Sequence, residues 1–280
     1  MIELKDLTKK FGDFTAVDHL NMTINTGEFF GFLGPNGAGK TTTISMLSTV
    51  LLPTEGQVLI DGVPLTRKAS GVKRKISVIT QEYSMRQDMT MDEVMEYQGR
   101  LYYMTKKEIR RKSDELLEFV GLDQYRHRVV RHLSGGMKRK LMVCRALMTE
   151  PEILLLDEPT AGMDAISRRQ MWNLLRQLHG KGITILLTTH YIDEAQSLCD
   201  RIALIDHGKL DTIDTPDALI NELGPYAVDE MREDTLHTRY FHHRDEAIEW
   251  LSSSDRETAL RNTTLEDVFV ERIGRGLGKQ

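Results

Sequence analysis

The stretch LGPNGAGKTTT, Leu33 to Thr43, decides how the rest of this chain is read. It meets the pattern G-x-x-x-x-G-K-[ST] with Gly34, Gly39, Lys40 and Thr41. Glycines at those positions let backbone N–H groups approach phosphate oxygens, and the lysine adds a point charge near the terminal phosphates. Thr41 is placed to ligate magnesium. The apolar EFFGFL ahead of the loop predicts a strand and Lys40 to Leu47 predicts a helix, which is the context the pattern requires. ILLLDE, Ile153 to Glu158, supplies the matching acidic element. Its apolar run predicts a buried strand with Asp157 emerging at the carboxyl end, where magnesium is held, and Glu158 next in line to take a proton from water.

The whole-chain totals fit such a protein. With 280 residues the chain can bury a sizeable core, as one large domain or one large and one small. Apolar residues make up 40% and charged residues 28%, which argues against disorder. A net charge of −5 argues against a protein whose main work is gripping nucleic acid. Cys144 and Cys199 fall in stretches that read as helix and form no metal-type pair, so both are expected as buried thiols in a reducing cytosol. The amino terminus, MIELKDLTKKFG, lacks a signal-peptide stretch, and no apolar run approaches the ~20 residues that cross a bilayer. A membrane role therefore has to come through a partner.

Along the chain, strand-like IELKDL, FTAVDHLNMTI and EFFGFL come first, and GQVLIDG and KISVIT follow the loop helix, the last ending at Gln81. From Met89 to about Arg131 the spacing becomes helical and highly charged, which predicts an all-helical insert. Alternation then resumes with EILLLDE, a helix from about Ile166 to Leu178, TILLTTH, a helix through Asp193 to Leu198, and RIALID, so a mainly parallel sheet covered by helices is expected. After the turn at His207, Gly208 and Lys209, Thr215 and Pro216 mark the start of a helix on DALINEL. The remaining ~55 residues read as a small strand-helix-strand addition closed by a helix on LEDVFVERI.

A second anion-type element lies at HLSGGMKRK, His132 to Lys140. Ser134 is a plausible N-cap, and Met137, Leu141, Cys144 and Met148 fall on one helical face, so the helix packs while its amino end points outward. With LSGGM beside GPNGAGKT, ILLLDE and TTH, the chain resembles the ATP-binding subunit of an ABC transporter. The family's elements arrive in order: an aromatic at Phe11, the phosphate loop, Gln81, LSGGM, the acidic strand, AGMD ending at Asp164, and His190. The resemblance covers roughly residues 1–220, with a weaker match at Asn262 to Phe269.

What the resemblance implies is a P-loop NTPase core of the α/β class, in which an antiparallel β subdomain precedes a mainly parallel sheet. A helical subdomain at about 83–148 would be inserted into residues 1–220, and 221–280 would form a small α+β accessory segment. ATP and Mg2+ are the implied ligands. Gly34, Pro35, Asn36, Gly37, Ala38, Gly39, Lys40, Thr41 and Thr42 would wrap the phosphates, Phe11 would stack on adenine, and Thr41, Asp157 and Gln81 would serve the metal. Gln81 would also contact the membrane partner, and His190 would hold the γ-phosphate. Ser134, Gly135 and Gly136 would complete the site of a second copy, giving a head-to-tail dimer, and Asp164 would also contact nucleotide. The implied partners are that copy and a polytopic membrane subunit, with the chain peripheral on the cytoplasmic face of the membrane.

LSGGMKRK and DEPTAGMD look more like the exporter branch that handles drugs, polysaccharides or lipids, because glutamine commonly follows LSGG in importers. Met163 in place of leucine and Phe11 in place of tyrosine depart mildly from the family pattern. Met85, Met89, Met91, Met95, Tyr102 and Tyr103 are candidates for an adaptable contact surface on the insert, with plain packing as the rival reading. The runs KEIRRK and MKRK are expected as solvated helix faces. His237, His242 and His243 form a polar edge or, less simply, a metal site. The rival function is a soluble ABC-type ATPase acting on DNA or ribosomes, disfavoured by the single module and acidic balance. A nucleotide-binding regulator without turnover is disfavoured by Glu158 and His190, and a GTPase by the absence of an NKxD string.

Overall fold

The computed structural model describes residues 1–232, 235–254 and 256–274. The chain opens with β1 (Ile2–Phe11), β2 (Phe14–Ile24) and β3 (Phe29–Leu33), then α1 (Lys40–Leu47), β4 (Glu55–Ile60), β5 (Val63–Pro64), α2 (Ser70–Arg74) and β6 (Ile76–Ile79). Three helices follow, α3 (Met91–Leu101), α4 (Lys106–Phe119) and α5 (Gly135–Leu147). The chain re-enters the sheet at β7 (Ile153–Asp157) and continues through α6 (Ala165–Gly180), β8 (Thr184–Thr189), α7 (Ile192–Leu198), β9 (Arg201–Asp206), β10 (Lys209–Asp214) and α8 (Pro216–Leu223). It ends with β11 (Tyr226–Arg232), β12 (Thr235–Phe241), α9 (Arg244–Ser253), β13 (Thr258–Asn262) and α10 (Leu265–Phe269).

The central sheet has the order β10-β9-β3-β8-β7-β6, parallel from β9 to β6. Every residue of β3, β7 and β8 is buried, as expected for parallel strands covered on both faces. The period-2 alternation of these strands feeds two separate cores. Leu154, Leu156, Ile185 and Leu187 face the helices α3 to α7, whereas Ile153, Leu155, Leu186, Phe30 and Phe32 face α1 and the antiparallel sheet β2-β1-β4-β5. Truncating Leu156, fully buried at the centre of the first core, to Ala is expected to cost about 2–5 kcal/mol, read as a lower urea midpoint at unchanged slope.

The helical insert is specified locally. Thr90 and Glu93 form a reciprocal capping box at the start of α3, and Thr105 and Glu108 do the same for α4. Its methionines correct the expected contact surface: Met85, Met91 and Met95 are buried and Met89 is partly so, all in the core. The tyrosines are the exposed members, Tyr103 at 90% with φ +60° just past the end of α3. The basic runs form solvated faces in part, with Lys107, Arg110 and Arg111 exposed, but one residue of each turns inward. Lys112 is buried and reaches Glu150, and Arg139 is only 2% exposed.

No strand is expected from the sequence between the turn at His207 and the helix at Thr215. The two-residue loop His207-Gly208 takes positive φ at both positions, the geometry that joins antiparallel strands tightly, and so returns the chain as β10. Thr215 and Pro216 start α8 as expected. Both cysteines are buried, but Cys199 lies just past α7 rather than within it. The carboxy-terminal part holds one strand more than the strand-helix-strand pattern, a sheet of order β12-β11-β13. Arg261 joins it to α10 by pairing with Asp229 and Asp267, each at 2.7 Å. Of that segment, 233–234, 255 and 275–280 lie outside the described residues. Among the described residues no group of three or more histidine, cysteine, aspartate or glutamate side chains is arranged to hold a metal ion.

Candidate nucleotide site

The loop from Gly34 to Gly39 leaves the carboxyl end of β3 and runs directly into α1. Two of its glycines are required by close approach. A Cβ at Gly34 would lie 2.3 Å from the carbonyl of Ile205, and one at Gly39, where φ is +102°, would lie 2.5 Å from the carbonyl of Ala16. Lys40 is buried and folds back over the loop, where Nζ donates to the carbonyls of Gly34 at 2.7 Å and Pro35 at 2.9 Å. Burial pulls its ammonium below the usual lysine range, against the opposing pull of Glu158 and Asp157. A cation held in that way at a helix start is poised for an anionic ligand.

The acidic strand meets the loop from the side. Asp157 pairs in register with Thr188 of β8, whose Oγ1 donates to Asp157 Oδ1 at 2.6 Å, and Thr41 Oγ1 donates to the same oxygen at 3.2 Å. The Thr41 hydroxyl and the Asp157 carboxylate are hard oxygen donors, a set that fits magnesium, which binds through few protein ligands and keeps most of its waters. Glu158 sits just beyond the strand with φ +47°, a strained backbone for a side chain of this size, and its N–H donates to the carbonyl of Thr188 at 3.0 Å. Glu158 Oε2 lies 3.1 Å from His190 Nδ1 at the end of β8, and the His190 ring packs on Tyr191.

Lys40, Thr41, Asp157, Glu158 and His190 therefore form one cluster at the carboxyl edge of the parallel sheet, where open α/β folds bind ligands. The other sequence-marked residues lie apart from it. Ser134 caps α5, its Oγ accepting from Met137 N–H at 3.3 Å, and both Ser134 and Gly135 are exposed. Asp164 caps α6, accepting from the N–H and hydroxyl of Ser167, bonds that hold its carboxyl below the usual range. Phe11 ends β1 half-exposed, with Lys9 Nζ 5.2 Å from its ring centre. Gln81 is exposed beyond β6. Among the described residues no hydrogen bond or ion pair joins Ser134, Asp164, Phe11 or Gln81 to the cluster.

Residues that sequence reasoning passed over hold these parts in place. Arg139 donates to the carbonyls of Thr80 at 2.8 Å and Gln81 at 3.0 Å, and Arg145 donates to the carbonyl and the hydroxyl of Ser84. Tyr83 Oη donates to the carbonyl of Gly135 at 3.3 Å. The segment after Gln81 is thus stapled to the helix that Ser134 opens. The available signal was the arginine spacing in α5, obscured because a basic run usually marks a solvated face.

A glycine loop on a helix start, crossed by a strand ending in Asp-Glu, defines a P-loop NTPase of the α/β class. A family model described as ABC transporter matches residues 17–161, and the chain belongs to that family. It is 40% identical over 219 residues to the probable multidrug ABC transporter ATP-binding protein YbhF of Escherichia coli, covering 78% of this chain and 38% of the relative. It is 35% identical to the Nod factor export ATP-binding protein I of Cupriavidus metallidurans, covering 98% of each. Among solved structures it is similar to the ATP-binding cassette MJ0796 in a dimeric post-hydrolysis state bound to ADP and Pi. That match has 29% identity, a TM-score of 0.69, and coverage of 77% of this chain and 98% of the other. The fold of this chain is thus that of an ABC ATPase cassette. No described helix is long and apolar enough to cross a membrane.

Proposed function

We infer that the chain hydrolyses ATP as one half of a head-to-tail pair and thereby powers transport, in the export direction, by a separate membrane-spanning subunit. The carrying observation is the division of the site. The cluster around Lys40, Asp157 and Glu158 is coherent within one chain, while the capped amino end of α5 points outward and bonds to no part of it. The amino end of a helix of 13 residues is a standing anion site, and a second copy would bring one to each cluster. Relatives named for multidrug transport and Nod factor export support the export reading.

In this reading Gly34 to Thr42 and Lys40 bind the phosphates and Phe11 takes the base. Thr41 and Asp157 would hold magnesium, with Gln81 beside them, and the metal when bound supplies charge neutralisation at the β and γ groups. Glu158 accepts the proton of the attacking water, and His190, in contact with Glu158, orients it and the γ group. Residues 1–220 act as the nucleotide-binding unit, with 83–148 inserted and 221–280 as an accessory segment. Transport force would pass through the insert and the stretch after Gln81. A groove of about 450 Å3, lined by Leu47, Arg74, Gln98, Tyr102 and Arg145, gives a membrane subunit room to dock there.

The placement on the cytoplasmic face of the membrane is tested by purifying the chain from detergent-solubilised membranes. A polytopic subunit is expected to accompany it in a stoichiometric complex, and recovery on ribosomes or DNA instead would favour the soluble rival.

A further inference from the structure

Glu194 is the one carboxylate among the described residues with zero exposure. It projects from α7, four residues after His190, into the space between α6 and the turn that begins at Glu158. Its Oε1 accepts from Thr160 Oγ1 at 2.8 Å and from the indole N–H of Trp172 at 2.9 Å, and both donors are themselves buried. Among the described residues its buried Oε2 has no hydrogen-bond partner. Burial pushes the carboxyl above the usual range, with the side chains of Thr189, Thr160 and Trp172 opposing that push. A leucine there would avoid the desolvation cost, so the carboxyl needs a reason beyond packing.

The geometry supplies one. Thr160 lies in a tight turn closed by Ala161 N–H on the carbonyl of Glu158 and Met163 N–H on the carbonyl of Thr160. Thr189 Oγ1 closes the other end by accepting from Tyr191 N–H at 3.0 Å, which fixes the bend that carries His190. From α6, Arg168 lies 4.9 Å from the Tyr191 ring centre and pairs loosely with Asp193. The turn after Glu158 and α6 thus converge on one oxygen carried by α7, the helix that follows His190, and Glu158 and His190 meet at 3.1 Å in the site.

We propose that Glu194 is a positioning residue for hydrolysis: by holding Thr160 and Trp172 on one oxygen it fixes the turn of Glu158 and the bend of His190 at a common distance. This rests on Glu158 and His190 as the reacting pair. Glu194 touches no nucleotide, so its loss misplaces the pair and leaves ATP binding intact. A misplacement of about 1 Å lowers turnover by up to about 100-fold.

The test compares Glu194→Leu, which removes the acceptor, with Glu194→Gln, which keeps an oxygen there. Turnover of E194L is expected to fall by about 10- to 100-fold with the Kd for a fluorescent ATP analogue within about 3-fold of the parent. E194Q is expected within about 3-fold of the parent in both, because the amide oxygen still accepts twice. Thr160→Val added to E194L is expected to lower turnover no further, since both act through one contact. A second readout needs no turnover. The chain has two tryptophans, so in a Trp250→Phe background Trp172 reports alone. Mg-ATP is expected to shift Trp172 emission in that protein and in its E194Q derivative, and not in its E194L derivative. Equal turnover in E194L and the parent, or an equal emission response in all three, overturns the proposal. Glu158→Gln run alongside separates the causes: if it too retains full turnover, the reacting pair is misassigned, and if it alone loses turnover, only the brace fails.

Discussion

Glu158→Gln is expected to lower ATP turnover by about two to four orders of magnitude, the usual worth of a general base, while nucleotide binding survives. Three features of the fold place the side chain where the proposed role requires it. It follows a fully buried strand, so it is delivered to the carboxyl edge of the sheet. Its backbone is held at φ +47° by the bond from its N–H to the Thr188 carbonyl, which turns the side chain off the strand axis. Its carboxylate rests 3.1 Å from His190 and, among the described residues, makes no ion pair with lysine or arginine, so its lone pairs stay available to a water proton. Glutamine keeps the volume and the hydrogen-bonding reach but cannot hold the proton. The measurement is kcat with KM under steady state, together with direct titration of an ATP analogue. A variant that turned over at the parental rate would move the base elsewhere. Loss of binding together with turnover would make Glu158 a phosphate-site residue instead.

Much of the candidate site was legible because its residues fall in short contiguous stretches. The glycine loop must sit between a strand and a helix, four apolar residues must precede Asp157, and a serine must precede the Gly-Gly start of α5, so each could be read where it stands. What could not be read depends on sheet order. Thr188 bonds Asp157 only because β8 lies between β3 and β7 and pairs Asp157 with Thr188 in register. No local pattern states that register. Arg139 was misread because a basic run looks the same whether its arginines meet water or two backbone carbonyls from 58 and 59 residues away. Glu194 was passed over since an acid early in a helix usually serves the dipole from the surface. The methionines of the insert illustrate the converse, since their helical spacing was equally good evidence for a core, and burial at α3 and α5 decided it.

The proposed head-to-tail arrangement yields the second large effect, through Ser134→Asp. Aspartate caps a helix as well as serine does, and its charge favours the positive end of α5, so the folded monomer is expected to be as stable or slightly more so. The same charge occupies the anion site that the partner's γ-phosphate would use. Each chain should still bind ATP through its own Lys40 and glycine loop, while ATP-dependent dimerisation is lost and turnover falls by about 100- to 1,000-fold, the cost of removing a preorganised donor from developing charge. Dimerisation is read by light scattering in the Glu158→Gln background, where ATP persists, and turnover in the otherwise native chain. Mixing supplies the decisive comparison. Lys40→Ala removes the phosphate cation but keeps a native Ser134, so a mixed pair of S134D and K40A chains contains one composite site with both elements intact. Turnover should return on mixing two chains that are nearly inactive alone. If Ser134 served the nucleotide bound to its own chain, no pairing of these variants could rebuild a site, and the mixture would stay as slow as its parts.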